Sequence, residues 1–221
     1  MAVKLSVPRK FRRGVKSHDE TASVQSGLKL LDLIEGIKPI EGTKLLDMGC
    51  GVKIAQALVE RGSPQALYVG LDVYREMIEF MQRVLKGNDR YVFQAVEFHN
   101  EKYNSGGTKM ADISGLPIAF QRFDLLTMFS VVTHLTPEDT RDMLLKLRQY
   151  AADDSALVFS TFVDPDQEED FLDLVPEKPL FKASYRKAFL EDIIARTDWK
   201  IERYGPAING VIMDYYVCSP A

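Results

Sequence analysis

The sequence predicts an α/β fold: a doubly wound, mostly parallel seven-stranded sheet that ends in an antiparallel hairpin, with helices on both faces. Short apolar runs alternate with amphipathic stretches along most of the 221-residue chain, which is the pattern of parallel strands joined by helices. Residues 199–220 depart from it, because two strand-like runs follow one another with no helix between them. Asn209-Gly210, a strong hairpin signal, separates these runs and predicts the antiparallel end of the sheet.

The amino-terminal part, residues 1–36, is predicted to be an arm followed by a helix, and residues 37–221 form the α/β domain. Five cations lie within residues 8–16. This basic arm is either a solvated tail or a lid or acceptor-binding segment over a site. Apolar spacing predicts an amphipathic helix over 21–37, with Gly36 and Pro39 as the residues that end it.

Within the α/β domain, buried apolar runs predict strands and amphipathic stretches predict helices. The predicted strands span 43–48, 66–72, 90–98, 123–130 and 155–163. The predicted helices span 53–62, 75–87, 184–197 and a stretch that begins near residue 136. Thr136 suits the N-cap of that last helix, Pro137 its first turn and Asp139 the position three residues on.

The connection over 163–184 is long, acidic at first and then apolar. Connections of this length often act as lids or specificity segments, although a solvated surface loop fits the same composition. If this segment covers an acceptor pocket, Phe171, Leu174 and Phe181 supply apolar walls and favour an aromatic or lipid-like acceptor.

Composition argues against several classes of protein. The formal net charge of −4 argues against general nucleic-acid binding, which favours a basic surface. The chain has only two cysteines, Cys50 and Cys218, so a disulfide scaffold is not indicated and a reducing cytoplasm fits. No apolar run approaches the ~18 residues of a membrane span, and the basic amino terminus lacks the apolar core of a secretion signal.

The stretch 44–62 carries the most informative motif, a buried strand, an acid and a Gly-x-Gly turn that opens a helix. Such a turn lets the backbone approach a ligand at a helix N-terminus. Ile54 stands where the dinucleotide fingerprint has its third glycine, and Asp47 would repel a diphosphate at close range, which argues against a nicotinamide-dependent reductase. An acid at this place suits a cationic ligand such as S-adenosylmethionine, although Asp47 as a cap of the following turn is the alternative.

Four motifs resemble those of class I S-adenosylmethionine-dependent methyltransferases, which have a Rossmann-like domain. "LLDMGCG" matches the first motif of that family, and "YVGLDVYREMI" matches the second strand with its terminal acid. "ADISGLPI" looks like the Asp-Ala-x-x-Leu-Pro element, and "FDLLTMFSVVTHL" looks like the fourth strand and the turn after it. The resemblance covers roughly residues 40–163, and the terminal hairpin also fits the family.

The resemblance implies S-adenosyl-L-methionine as cofactor and assigns its contacts residue by residue. Asp72 would bind both ribose hydroxyls, because a carboxylate accepts two hydrogen bonds from a vicinal diol. Asp112 would accept from the adenine amino group, with the amide of Ile113 facing the ring. The other implied cofactor contacts are Asp47, Met48, Gly49, Cys50 and Gly51 at the turn, Val73 and Met77 beside the adenine, and Phe129 and Ser130 after the fourth strand. Lys53 departs from the family, which has a third glycine there, and either points to solvent or pairs with the cofactor carboxylate.

Methyl transfer requires alignment of the nucleophile, exclusion of water and, for a hydroxyl acceptor, removal of a proton. His134 follows the fourth strand at the carboxyl edge of the sheet and is the best candidate for the base, unless it is a structural histidine. His18 is a second candidate from the arm. The apparent insertion over 99–110 is either a plain surface loop or the carrier of Tyr103 and Asn104, which would shape the acceptor site. The spacing of histidines and cysteines shows no metal-ligand set, so no metal is predicted.

We therefore predict a cytoplasmic S-adenosylmethionine-dependent methyltransferase that acts on an oxygen or nitrogen of a small-molecule acceptor. A non-catalytic, methyltransferase-like binding protein is the first alternative, and Lys53 is the residue that favours it. An RNA methyltransferase is the second alternative, which the basic arm permits. The acidic charge balance, and the lack of an Asn-Pro-Pro-Tyr-like element, argue against a nucleic-acid substrate.

Overall fold

A computed structural model describes residues 5–13, 18–100, 103–119, 121–208 and 211–221 of the chain. The strands of its main sheet are β1 (Lys44–Met48), β2 (Leu67–Asp72), β3 (Tyr91–Ala95), β4 (Phe123–Phe129), β5 (Ala151–Asp164), β8 (Trp199–Gly205) and β9 (Asp214–Pro220). Their order is β3-β2-β1-β4-β5-β9-β8, with β1 to β5 parallel and β9 antiparallel to both of its neighbours. This arrangement confirms the predicted seven-stranded, mostly parallel sheet with an antiparallel end.

Five helices cover the two faces of the sheet in the described part of the chain. They are α1 (Glu20–Glu35), α2 (Lys53–Arg61), α3 (Arg75–Val84), α4 (Pro137–Tyr150) and α5 (Lys187–Ala195). Successive side chains of a strand point to opposite faces. Leu45 of β1 accordingly packs in the core that holds side chains of α1, α2 and α3, whereas Leu46 packs in the core of α4 and α5. The predicted placement of helices on both faces is confirmed.

The helix predicted over 184–197 is wrong at its start, because residues 183–186 form a strand. This strand, β7 (Ala183–Arg186), pairs in parallel with the end of β5 and antiparallel with the short strand β6 (Phe171–Asp173). Tyr185 is fully buried, and its hydroxyl donates to the carbonyl of Leu135 at 2.9 Å. Sheet pairing and this buried anchor outweigh the local preference for helix.

The antiparallel end of the sheet is formed by β8 and β9, in which Gly205 pairs with Tyr215. Asn209 and Gly210, on which the hairpin prediction rested, lie outside the described residues. Outside that dipeptide, Ile208 and Ile212 pair across the connection, with the N–H of Ile208 donating to the carbonyl of Ile212 at 2.9 Å.

The described part of the basic arm, residues 5–13, is docked on the domain. The ring of Phe11 is buried, with its centroid 5.2 Å from that of Phe80 and 5.7 Å from that of Tyr74. Lys10 forms an ion pair with Glu76 of α3. These residues therefore do not form a solvated tail, because their apolar side chains join the core on the α1–α3 face. In the described ranges, no helix combines the length and apolar character that crossing a membrane requires.

Candidate active site

A cavity of about 570 Å³ lies at the carboxyl ends of β1, β2 and β4. The strand order reverses between β1 and β4, and this is the place where open α/β sheets bind their ligands. The volume falls within the usual range for small-molecule sites. The wall is formed by the glycine turn, the ends of β2 and β4, the segment after β3, the arm and the connection before β9.

The glycine turn has the backbone conformation that its sequence predicts. Gly49 and Gly51 are left-handed, with φ of 66° and 50°. A Cβ added at Gly49 would lie 2.2 Å from Cγ2 of Val131, so a larger residue does not fit there. Helix α2 begins directly after the turn, and its N-cap, Val52, gives no side-chain cap. The first turn of α2 is therefore open to a ligand that accepts hydrogen bonds.

Asp47 is buried at the end of β1 and lines the cavity. One carboxylate oxygen accepts from the hydroxyl of Tyr68 and the other from the hydroxyl of Thr127, each at 2.7 Å. Burial raises the pKa of Asp47 to about 7; the two hydroxyl hydrogen bonds lower it, and nearby Asp72 raises it. The group is therefore poised to ionise fully when a cation comes close.

Asp72 is half-buried at the end of β2 and lines the same cavity. One of its oxygens accepts from the N–H of Gly51 at 3.0 Å, and the other from the N–H of Tyr74 at 2.9 Å. Burial raises the pKa of Asp72, although both hydrogen bonds and the charge of Arg13 lower it. A carboxylate has about four acceptor positions, so each oxygen keeps one for a ligand hydroxyl.

The cavity wall includes most of the residues that the resemblance assigned to the cofactor. These are Met48, Cys50, Val73, Met77, Phe129 and Ser130, together with the two acids and the two glycines of the turn. Ser130 has a left-handed backbone, with φ of 58°, and its N–H donates to Oγ of Ser160 at 3.1 Å.

Asp112 and Ile113 do not line the cavity, so the structure does not bring them to the other assigned residues. Asp112 is exposed in the one-turn helix Met110–Asp112, and only Met110 of that helix reaches the cavity wall. The physical reason is the path of the chain after β3. Val96 and Phe98, directly after the strand, already line the cavity, and the insertion over 99–110 separates them in sequence from residues 111–113.

Lys53, the departure from the family motif, is half-buried at the first position of α2 and lines the cavity. Its carbonyl oxygen lies against α1, where a Cβ added at Gly27 would be only 2.6 Å away. Lys53 therefore replaces the glycine that the family has at this position. Its backbone still packs closely on α1, because α1 has a glycine, Gly27, at the point of contact.

His134 lines the cavity at the end of a short helix after β4. Its Nδ1 lies 2.9 Å from the carbonyl oxygen of Leu180. A carbonyl can only accept, so Nδ1 carries the hydrogen and, in the neutral ring, Nε2 carries the lone pair. Leu180 is itself held in a left-handed conformation, φ 54°, and its N–H donates to Asp173 at 2.8 Å.

The predicted acceptor residues divide into two groups. Tyr103 lines the cavity, and its ring meets that of His134 edge-on with centroids 6.3 Å apart. Asn104 does not line it but donates to the carbonyl of Phe98 at 3.0 Å, which fixes the loop that carries Tyr103.

The walls predicted from the segment 163–184 are wrong. Phe171 packs edge-on against Tyr185 with centroids 5.1 Å apart, and Leu174 and Phe181 are 44% and 42% exposed. None of the three lines the cavity, because the segment folds back as a strand pair along β5. Apolar walls come instead from Phe98, Met110, Leu135, Met143, Val211 and Ile212.

Sequence reasoning missed six polar residues of the wall: Arg12, Arg13, Tyr74, His99, Asn100 and Ser160. The guanidinium of Arg13 lies over the rings of Tyr74 and Tyr103, 5.1 and 4.8 Å from their centroids. The cationic run of the arm is visible in the sequence. The sequence does not show which of its residues face the cavity, because that depends on how the arm docks on the domain. His18, by contrast, is exposed and outside the wall. Over the described ranges, no three His, Cys, Asp or Glu side chains cluster as metal ligands.

Comparison with known proteins agrees with this geometry. A family model described as "Methyltransferase domain" matches residues 46–157, about half of the chain. The malonyl-[acyl-carrier protein] O-methyltransferase of Dechloromonas aromatica (strain RCB) is 34% identical over 76 residues, which are 34% of this chain and 29% of that protein. The chain thus aligns with less than a third of that relative's length.

Two solved structures show the same fold. Magnesium protoporphyrin IX methyltransferase from Synechocystis PCC 6803, with bound S-adenosylmethionine, has a TM-score of 0.60 at 16% identity, over 96% of this chain and 89% of that chain. An amino pentose methyltransferase from Micromonospora echinaspora, also with bound S-adenosylmethionine, has a TM-score of 0.61 at 14% identity, over 95% of this chain and 98% of that chain.

Proposed function

The chain belongs to the methyltransferase domain family, and we propose that it transfers a methyl group from S-adenosylmethionine to an oxygen or nitrogen of a small molecule. One observation carries the proposal: the left-handed turn at Gly49 and Gly51 lies between two acids, Asp47 and Asp72, in a single cavity. This arrangement offers close backbone approach and negative charge together, which suits a cationic nucleoside ligand.

The residues of the cavity fit the parts of S-adenosylmethionine. Asp72 has acceptor positions left for the two ribose hydroxyls. Asp47, buried between two hydroxyls, suits the ammonium of the methionine part. Val73 and Met77 offer apolar surface for the adenine. These fits support the cofactor assignment that the family resemblance implies.

S-adenosylmethionine, when bound, supplies a methyl group that is activated by a sulfonium leaving group. The task of the chain is to hold the acceptor in line, exclude water and take up the acceptor's proton. His134 is the base in this proposal, because its Nδ1–H is held by the carbonyl of Leu180 and its Nε2 has the lone pair. Tyr103 packs on the imidazole ring and limits its rotation.

The acceptor is proposed to be a small molecule with an apolar body. The cavity wall includes the apolar side chains of Leu135, Met143 and Ile212, which disfavour a highly charged ligand. Relatives named for magnesium protoporphyrin IX and for an amino pentose support a small-molecule acceptor. In the arm, Lys10 and Arg13 contact Glu76 and aromatic rings, which gives less support to an RNA substrate.

The experiment is an acceptor screen with methyl-labelled S-adenosylmethionine, in which transfer of the labelled methyl group is measured for apolar phenols, alcohols and amines, and for RNA. With a hydroxyl acceptor, His134→Gln should lower kcat by about a hundredfold or more, as expected for loss of a general base, and leave the affinity for S-adenosylhomocysteine unchanged. His18→Gln, outside the cavity, is the matched control. Methylation of RNA alone, or full kcat in His134→Gln, contradicts the proposal.

A further inference from the structure

Arg12 brings a charged, partly buried side chain to the cavity. Its Nε and Nη1 atoms are buried and have no hydrogen-bond partner among the described residues. The side chain lines the cavity, at the end of the short helix Arg9–Phe11. A guanidinium cannot lose its proton at physiological pH, so it cannot escape the cost of burial by becoming neutral. The geometry therefore calls for an anion at this place.

A second observation points to the same kind of ligand. The first turn of α2 lines the same cavity through Val52, Lys53 and Ile54, and its N-cap gives no side-chain hydrogen bond. The N-terminus of a helix carries partial positive charge and free N–H donors, both of which favour an anion. Arg12 and this turn thus both contribute positive charge to the wall of one cavity.

Two acids place the opposite sign on the wall of the same cavity. Asp47 and Asp72 line the cavity at the ends of β1 and β2. A ligand that satisfies both parts of the wall carries a cation and an anion a short distance apart, as an amino acid does. A planar guanidinium matches a carboxylate with two parallel hydrogen bonds, which makes a carboxylate the best partner for Arg12.

The arm is anchored so that Arg12 stays at this position. Phe11 is buried against Phe80 and Tyr74, and the carbonyl of Leu5 accepts from Nε2 of Gln56 in α2 at 2.8 Å. Arg9, in the same short helix, is exposed and does not line the cavity. The arm therefore places Arg12 at the cavity and Arg9 in solvent.

We propose that Arg12 and the first turn of α2 form a carboxylate-binding subsite, which makes the arm part of the binding site. The proposal rests on the proposed function for the identity of its first source, the carboxylate of the cofactor's methionine part. An acidic acceptor is the second source of the same chemistry, and the experiment distinguishes the two.

The test is calorimetric titration of the wild-type protein, Arg12→Gln, Arg12→Lys and Arg9→Gln with two probes. S-adenosylhomocysteine has the amino-acid part, and 5′-methylthioadenosine is the same thioether nucleoside without it. Arg12→Gln should weaken S-adenosylhomocysteine roughly ten- to a hundredfold, the worth of a charged hydrogen-bond pair, and leave methylthioadenosine unchanged. Arg12→Lys should lose less affinity for S-adenosylhomocysteine than Arg12→Gln, and Arg9→Gln should bind it as tightly as the wild type.

A second readout separates ligand binding from a structural role. Since an uncompensated buried charge destabilises the empty protein, the melting temperature of unliganded Arg12→Gln should equal or exceed that of the wild type. A melting temperature several degrees lower, or failure of the variant to fold, means that the protein itself compensates the guanidinium and overturns the proposal.

The remaining outcomes assign the source. Malonate, a small dicarboxylate, is a third probe, and its effect on the melting temperature is measured for the wild type and Arg12→Gln. If Arg12→Gln keeps its affinity for S-adenosylhomocysteine but malonate stabilises only the wild type, the subsite is supported and serves an acidic acceptor. If both responses are unchanged, the subsite is refuted. Wild-type protein that binds neither nucleoside contradicts the proposed function, and the malonate comparison then decides on Arg12 alone.

Discussion

Asp47 shows at the scale of one residue how the site and the stability of the fold are linked. Its pKa in the folded protein is about 7, above the ordinary 3.8, and burial is the main cause. Between roughly pH 4 and 7 the folded carboxyl therefore binds a proton that the unfolded chain has released. Its contribution to stability is thus fully present at low pH and is lost as the pH rises through this window. A ligand ammonium beside Asp47 would reverse that penalty.

This linkage predicts that cofactor binding releases a proton from the protein at pH 6. Asp47 is largely protonated there in the unliganded protein and ionises when the ammonium arrives, so the affinity should also rise from pH 6 to 8. Titration of S-adenosylhomocysteine in two buffers of different ionisation enthalpy measures the release. Asp47→Asn should bind more weakly and release no proton. Heats that are equal in both buffers for the wild type would refute the role of Asp47.

The contact between α1 and α2 positions the site at the scale of secondary-structure elements. Gly27 is buried in α1, and a Cβ there would lie 2.6 Å from the carbonyl oxygen of Lys53 and 3.3 Å from Cβ of Ala57. The first contact is to backbone, which cannot rotate away as a flexible side chain can. The start of α2, which borders the cavity, therefore packs directly on the backbone of α1, and this close contact requires glycine at position 27.

Gly27→Ala should accordingly destabilise the protein and weaken cofactor binding. Overpacking costs about 1–3 kcal/mol, which exceeds the roughly 1 kcal/mol that alanine gains over glycine in a helix. Gly36→Ala is the matched control, because its φ is −71° and an added Cβ would stay 3.5 Å or more from its neighbours. Denaturant unfolding measures the stability of both variants. Equal stability of the two variants would contradict the close contact.

At the scale of the whole molecule, the sequence alone predicts the features that depend on local sequence. The alternation of strands and helices, the turn at Gly49 and Gly51 and the acids at the ends of β1 and β2 all follow from periodicity and backbone chemistry. The docking of the arm could not be predicted in this way, because it depends on the contact of Phe11 with Phe80, which is distant in sequence.

Two further errors have the same origin in non-local packing. Asp112 fits the family pattern in sequence, but Val96 and Phe98, which lie between β3 and the insertion, line the cavity instead. The segment 163–184 has the composition of a lid, yet Phe171 packs on Tyr185 in a strand pair along β5. In both cases pairing with a distant strand or loop decides which side chains reach the site.

The measurement that tests the account most directly is calorimetric binding of S-adenosylhomocysteine to the wild type, Asp72→Asn and Asp112→Asn. Asp72 accepts from Gly51 and Tyr74 at the cavity, whereas Asp112 is exposed outside it, so the two variants are chemically identical and differ only in position. We expect binding by the wild type, a loss of roughly tenfold or more in Asp72→Asn, and no change in Asp112→Asn. Folded wild-type protein that binds no S-adenosylhomocysteine, or an equal loss in both variants, would contradict the account.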